Sequence, residues 1–354
     1  MRRRALLTAA TLTALPARAR GARSAAPAAV SAAPSPASVT PSLIEAARKE
    51  GKVAYYTSSD LTLAVALSKR FEAKYPGISV QLERSGAERN FQRISQEYAS
   101  GVRVADVVSS SDLGYLLIWK KTAWLTPYVA EEAMRFPEGA VEPDGFYTRE
   151  AFSLMIPAYH GKMVGAEDVP KTWNDLLDPK WKGKMVKAHP GYSGNITTGT
   201  FALVRALGWE FFEKLAKQQV MQVQSAGDPA LRVAQGERVI AADGSENAIW
   251  RVAAKGAPVM PVYPAEGSPV VPTGIGLMTA APHPNAARLL LHFVLSAEGQ
   301  STIAGFGSRA VLPGIPVPPG LRAAADLRLL HSDPAEVAVE SEAIRKRYTK
   351  LFGI

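Results

Sequence analysis

The chain has 354 residues, 47% of them hydrophobic and 21% charged, with no cysteine and a formal net charge of +9. That length is more than one hydrophobic core comfortably fills, so two lobes are expected, and the composition argues against both a disordered chain and a membrane bundle. Six arginines (Arg2, Arg3, Arg4, Arg18, Arg20 and Arg23) and no acid precede Thr40; they carry six of the nine charges and leave +3, which predicts no nucleic-acid partner.

Arg2, Arg3 and Arg4 stand before a short apolar run over 5–15 that ends at Pro16, the layout of an export signal. ARA at 17–19 offers a small-x-small cleavage site, although the Ala/Pro/Ser-rich stretch beyond it leaves room for a later cut. RRALL at 3–7 fits a twin-arginine signal as well as an ordinary basic segment. The apolar run is far shorter than the roughly 20 residues that span a bilayer, so no transmembrane helix is expected. Without cysteine there is neither a disulfide nor a lipid anchor at the cleavage site, which predicts a freely diffusing periplasmic protein. Residues 1–41 read as signal peptide and flexible leader.

From there the pattern alternates. An amphipathic helix is expected over 43–50, a strand over 52–57, a helix over 61–75 and a strand over 78–83, with Pro76 and Gly77 marking the last junction. A helix over 88–100, a short apolar strand over 104–109 and a helix over 113–120 continue a β-α-β order that predicts a parallel sheet covered on both faces. A new strand at 152–159 opens the second lobe. A short helix at 173–177, a strand at 185–188, helices over 196–207 and 209–217, a strand at 222–224, a helix at 229–235 and a strand at 239–242 follow. The proline-rich span over 258–272 reads as a return crossing, and helices are expected over 286–295, 298–306 and 334–350. The lobes are therefore 42–150 with 267–320, and 151–266, followed by a C-terminal helical segment over 321–354.

Several of these segments carry a resemblance. They are VAYYTS at 53–58, FEAKYPGI at 71–78, ADVV at 105–108, TWNDLL at 172–177 with WKGK at 181–184, and APHPNAA at 281–287. In this order and spacing they resemble the extracellular solute-binding proteins related to the periplasmic ferric-iron binders. The resemblance implies an α/β type II periplasmic binding fold, with two lobes joined by crossing strands, an interlobe cleft, and closure on a ligand. It also implies a small-molecule ligand and the permease of an ABC importer as partners.

In open α/β sheets, ligands sit at the carboxyl ends of the strands, where loops enter helix N-termini. Four such junctions stand out. Ser58 and Ser59 follow the first strand, where Ser59 or the adjacent Asp60 serves equally well as a helix cap. Ser110 and Ser111 follow the third strand. Tyr192, Ser193, Gly194, Asn195 and Thr197 form a glycine-containing turn into a helix, the clearest anion cue. Asp243, Ser245 and Asn247 follow a strand of the second lobe. By the resemblance, the tyrosine pair that coordinates ferric iron in iron-binding relatives falls on Asn247 and Ala248, and the one adjacent pair present, Tyr55 and Tyr56, lies inside the first strand. Arg84, His189 and Glu266 are further candidates, each with an equally ordinary structural reading.

No nucleophile-base pair, G-x-S-x-G turn or H-E-x-x-H spacing appears, so neither an enzyme, a resident metal nor a cofactor is predicted. The reading is a monomeric solute-binding component of an ABC importer that holds a small anionic or polar organic solute such as a carboxylate, phosphonate or phosphate ester. A ferric-iron binder and a sensory protein that presents solute to a membrane receptor are the alternatives.

Overall fold

The structure, a computed structural model, describes residues 33–353. The expected export signal, twin-arginine motif and cleavage site lie outside the described residues.

The chain enters along the first lobe, not as a free leader: Ala37 donates its N–H to Val129 O at 2.9 Å and accepts from Glu131 N at 2.9 Å. Thr40 then caps α1 (Pro41–Glu50), which Gly51 ends with a left-handed φ of 72°. β1 (Lys52–Thr57), α2 (Leu61–Lys74), β2 (Ser79–Arg84), α3 (Ala87–Ala99), β3 (Val107–Ser110), α4 (Leu113–Lys121) and β4 (Leu125–Thr126) complete the first run. The long β5 (Thr148–His160) crosses to the second lobe, built from β6 (Met185–Ala188), α5 (Gly194–Ala216), β7 (Met221–Val223), α6 (Asp228–Ala234), β8 (Ile240–Ser245), α7 (Glu246–Ala254) and β9 (Val259–Pro261). β10 (Ser268–Met278) returns to the first lobe, followed by α8 (Pro284–Leu295), α9 (Ala297–Gly305), β11 (Arg309–Ala310), β12 (Leu329–Leu330) and α10 (Pro334–Phe352).

One curled sheet runs through both lobes in the order β2-β1-β3-β10-β5-β8-β6-β7. Its outer strands are parallel, as the β-α alternation requires, while β10 and β5 run antiparallel to each other through the middle. β5 pairs with β10 through Leu154 and with β8 from Met155 onward, so a single strand belongs to both halves.

Strand alternation sorts the cores. Val53 and Tyr55 face Leu67, Phe71 and Phe293, whereas Ala54 and Tyr56 face Ile94, Leu116 and Trp119 on the opposite side. In the second lobe, Met185 and Ile240 pack with Trp173, Phe212 and Tyr348, and Val186 and Ala241 with Val233 and Ile249. Each fully buried side chain of this size contributes about 2 kcal/mol. α10 packs on both α5 and α4 and so spans the two lobes.

Within α5, Gly208, whose φ of 75° and ψ of 169° no helix interior adopts, separates two helices at the boundary expected between 196–207 and 209–217. The 173–177 segment is a single 3-10 turn over Asn174–Leu177. Elements not expected include α7 and the short strands β4, β9, β11 and β12. α7 follows β8 with no intervening loop, and β10 is a true strand although Pro269 and Pro272 lie within it.

Candidate functional site

The carboxyl ends of the parallel strands of both lobes open on one cleft of about 710 Å³. It is lined by the loops that lead from β1 into α2, β2 into α3, β3 into α4, β6 into α5 and β7 into α6, and by the direct junction of β8 with α7.

The first-lobe wall is built by paired hydroxyls. Ser58 Oγ donates to Ser111 Oγ at 3.2 Å and accepts from Ser111 N at 2.9 Å, which ties the first loop to the third. Ser59 N donates to Thr57 Oγ1 at 3.0 Å, and Ser59 O accepts from Arg84 Nε at 3.0 Å. Asp60, not Ser59, is the cap of α2, accepting from Thr62 N at 3.0 Å. Its other oxygen lies 3.0 Å from Arg251 Nη2, on α7 of the opposite lobe. Burial alone would raise the Asp60 pKa, but the hydrogen bonds from Thr62 and the Arg251 charge bring it below the usual value.

The second-lobe wall is less self-satisfied. Ser193 is the N-cap residue of α5, yet its hydroxyl makes no capping bond, and Tyr192, Ser193, Gly194 and Asn195 line the cleft. Asn195 Oδ1 is buried without a partner. Ser245 is likewise the uncapped N-cap of α7; it bonds Asn247 Oδ1 and lies 3.2 Å from Ser153 Oγ, while Asn247 Nδ2 donates to Ser308 Oγ at 3.1 Å. α3 begins at Gly86 with no side-chain cap either. Helix first turns without caps leave N–H groups free for an acceptor.

Three candidates from the sequence are placed elsewhere. Ser110 is 2% exposed and folds back, donating to Asp112 O at 2.9 Å and accepting from Asp112 N, so it braces the entry to α4. Thr197 is buried one turn inside α5 and donates to Pro190 O at 2.8 Å. Asp243 points into the second-lobe core, 2.7 Å from Lys187 Nζ, both side chains being 2% exposed. Lys187 sits 4.9 Å from the Tyr348 ring centroid, which completes its cage. In each case the strand or helix period turns the side chain away from the cleft that its neighbours face.

Of the other candidates, Arg84 lines the cleft. His189 braces its loop by accepting from Gly191 N at 2.9 Å, and burial and nearby Lys187 lower its pKa. Glu266 accepts from Trp173 N at 3.1 Å and is structural.

Sequence reasoning missed Arg251 and Glu150. Asn247, Ala248, Arg251 and Val252 form one face of α7, continued by its C-cap Lys255, and all line the cleft; the 3.6-residue period would have shown that face had the helix been expected. Arg251 Nη1 is buried and unpartnered, and burial together with the Arg84 charge lowers the guanidinium pKa against the pull of Asp60. Glu150 lies on β5, 2% exposed at the cleft, and burial pushes its pKa to about 7.

Asn247 and Ala248, on which the resemblance places the tyrosine pair, line the cleft, and Tyr55 and Tyr56 are buried in β1. Among the described residues, no group of three or more His, Cys, Asp or Glu could hold a metal ion, and no helix is long and apolar enough to cross a membrane.

The family profile of the bacterial extracellular solute-binding protein matches residues 103–337. Over 278 residues, 75% of this chain, it is 23% identical to a protein of Sinorhizobium fredii named as an ABC transporter periplasmic-binding protein, 76% of which is covered. A protein of Salmonella typhimurium named for binding 2-aminoethylphosphonate is 27% identical over 158 residues, 41% of this chain and 45% of that protein. Among solved structures, the periplasmic binding protein AfuA from Actinobacillus pleuropneumoniae, with fructose-6-phosphate bound, aligns with a TM-score of 0.77 at 22% identity over 86% of this chain and 99% of its own. Iron-bound HitA from Pseudomonas aeruginosa aligns at 0.73 and 22% identity, over 84% of this chain and 99% of its own. With the lobes, crossing strands and cleft described above, these matches make the chain a member of the bacterial extracellular solute-binding protein family, with the type II periplasmic binding fold.

Proposed function

We propose that the protein is the periplasmic solute-binding component of an ABC importer and that its cleft holds a small anionic organic solute, a phosphonate, phosphate ester or carboxylate. The observation that carries this reading is Arg251, a half-buried side chain whose buried Nη1 has no partner and which opens on the same cleft as the uncapped first turns of α5 and α7. A buried donor left unpaired costs about 1–3 kcal/mol, and an anion would recover that while also meeting the positive ends of the two helices. Two relatives fit this reading, one named for binding 2-aminoethylphosphonate and AfuA with fructose-6-phosphate bound, whereas HitA holds iron.

On this reading the lobes are 42–150 with 267–320, and 151–266, and they close as a monomer around the solute before docking on a permease. Asn247 and Ala248 offer no phenolate to ferric iron, which favours the organic anion over the iron reading. Calorimetry on the purified chain with phosphonates, phosphate esters, carboxylates and ferric citrate tests it. Micromolar or tighter binding of an organic anion is expected; tight ferric binding with no response to any organic anion would sink the proposal.

A further inference from the structure

Four carboxylates line the cleft, and three are already engaged. Asp60 caps α2 and pairs with Arg251, Glu88 accepts from the Tyr115 hydroxyl, and Asp228 accepts from Ser225 N at 2.9 Å. Glu150 differs. Its Oε1 accepts from the Ser109 hydroxyl, but its Oε2 is buried at the cleft with no hydrogen-bond partner.

The elements around it supply nothing further. Tyr55, on β1, has a hydroxyl that is itself buried and unpartnered. The Gln300 side-chain amide of α9 is spent on the Glu150 backbone carbonyl at 2.8 Å and on Val294 O at 3.2 Å. Among the described residues, no lysine, arginine or histidine forms an ion pair with the carboxyl. Burial without a cation disfavours the ionised form, and it raises the Glu150 pKa to about 7, with the Ser109 bond pulling it back. Across the cleft, Asn195 Oδ1 is a second buried acceptor without a donor.

We infer that Glu150 is a ligand-binding residue that accepts a hydrogen bond from the solute, so that the solute of this cleft joins an ammonium or hydroxyl group to its anionic group. Arg251 Nη1 lacks an acceptor while Glu150 Oε2 and Asn195 Oδ1 lack donors, and a molecule with one kind of group alone would leave one side unmatched. The inference rests on the anion reading proposed above.

Three probes that differ only at one end test it: ethylphosphonate, 2-hydroxyethylphosphonate and 2-aminoethylphosphonate, titrated by calorimetry at pH 8 into the wild type, Glu150→Gln and Glu150→Ala. At least one donor-bearing probe is expected to bind the wild type ten or more times tighter than ethylphosphonate, and Glu150→Ala is expected to bring that ratio to within twofold of one. Glu150→Gln, nearly isosteric and retained should the alanine variant not fold, separates the two donors. It keeps a hydroxyl advantage, because its amide oxygen still accepts, and loses an ammonium advantage. Equal binding of all three probes by the wild type, or an undiminished ratio in both variants, overturns the Glu150 assignment and leaves the anion reading standing. If the folded wild type binds none of the three, the Glu150 assignment falls, while the anion reading is judged on the phosphate esters and carboxylates of the wider panel.

Discussion

Asp60 and Arg251 meet across the cleft at 3.0 Å, the first capping a helix of one lobe and the second extending from a helix of the other. The pair aims the guanidinium into the cleft while leaving Nη1 unpaired.

Replacing Arg251 should therefore harm binding more than folding. Arg251→Lys keeps the charge but not the planar fork, and it and Arg251→Met are expected to weaken binding of an organic anion by about 10- to 100-fold, or about 1.4–2.8 kcal/mol. Parallel calorimetry and thermal melts check this: a melting temperature that falls while affinity holds would mark Arg251 as a structural residue.

The buried Lys187 and Asp243 pair predicts the reverse pattern. Asp243→Ala strands a lysine in the second-lobe core and should cost about 3–5 kcal/mol of stability. Affinity measured well below the melting point should stay within twofold of wild type. Denaturant titration followed by circular dichroism, alongside calorimetry, separates the two effects.

Glu150 makes stability depend on pH in a defined direction. Its folded pKa is raised to about 7, with burial the cause, whereas the unfolded chain titrates in the ordinary glutamate range. Below that range both states hold the proton and no penalty exists. As the pH rises, the unfolded state ionises first, and stability is lost until the folded carboxyl ionises as well, at about pH 7. Tyr55 faces it un-ionised, its pKa raised by burial, and Ser109 and Gln300 do not titrate. Ligand-free Glu150→Gln should gain about 3 kcal/mol over wild type at pH 8 and almost nothing at pH 4. Denaturant titrations at the two pH values measure the difference, and a gain independent of pH would contradict the account.

Gly194 brings the junction of β6 and α5 against the first lobe. A Cβ there would stand 2.8 Å from the Cβ of Asp112, which itself caps α4. Gly194→Ala must push the two lobes apart at that contact, so a loss of about 1–3 kcal/mol in stability is expected, along with weaker anion binding than in Ser193→Ala. Thermal melts and calorimetry on both variants provide the comparison.

Much of the fold was legible because local chemistry and tertiary need agree. Gly51, Pro76 and Gly77 punctuate the first βαβ unit, and β1 and β6 have the expected bounds, Lys52–Thr57 and Met185–Ala188. α7 escaped because β8 runs into it without a loop, and β10 because Pro269 and Pro272 speak against a strand unless their missing N–H groups fall where no ladder bond is required.

The sequence by itself determined the alternation of strands and helices and where the strand-to-helix junctions lie, since spacing, caps and turn residues act over a few positions. It could not decide which side chains at a junction face the cleft. Ser110 and Ser111 are adjacent in a serine run, yet one braces a helix entry and the other lines the cleft. Asp243 and Asn247 flank one turn, yet Lys187, from a different strand, claims the first. Arg251 and Glu150 gain their character from residues of the opposite lobe or from burial at the crossing strands. Only tertiary structure sets these, because burial and pairing depend on which distant segments pack together.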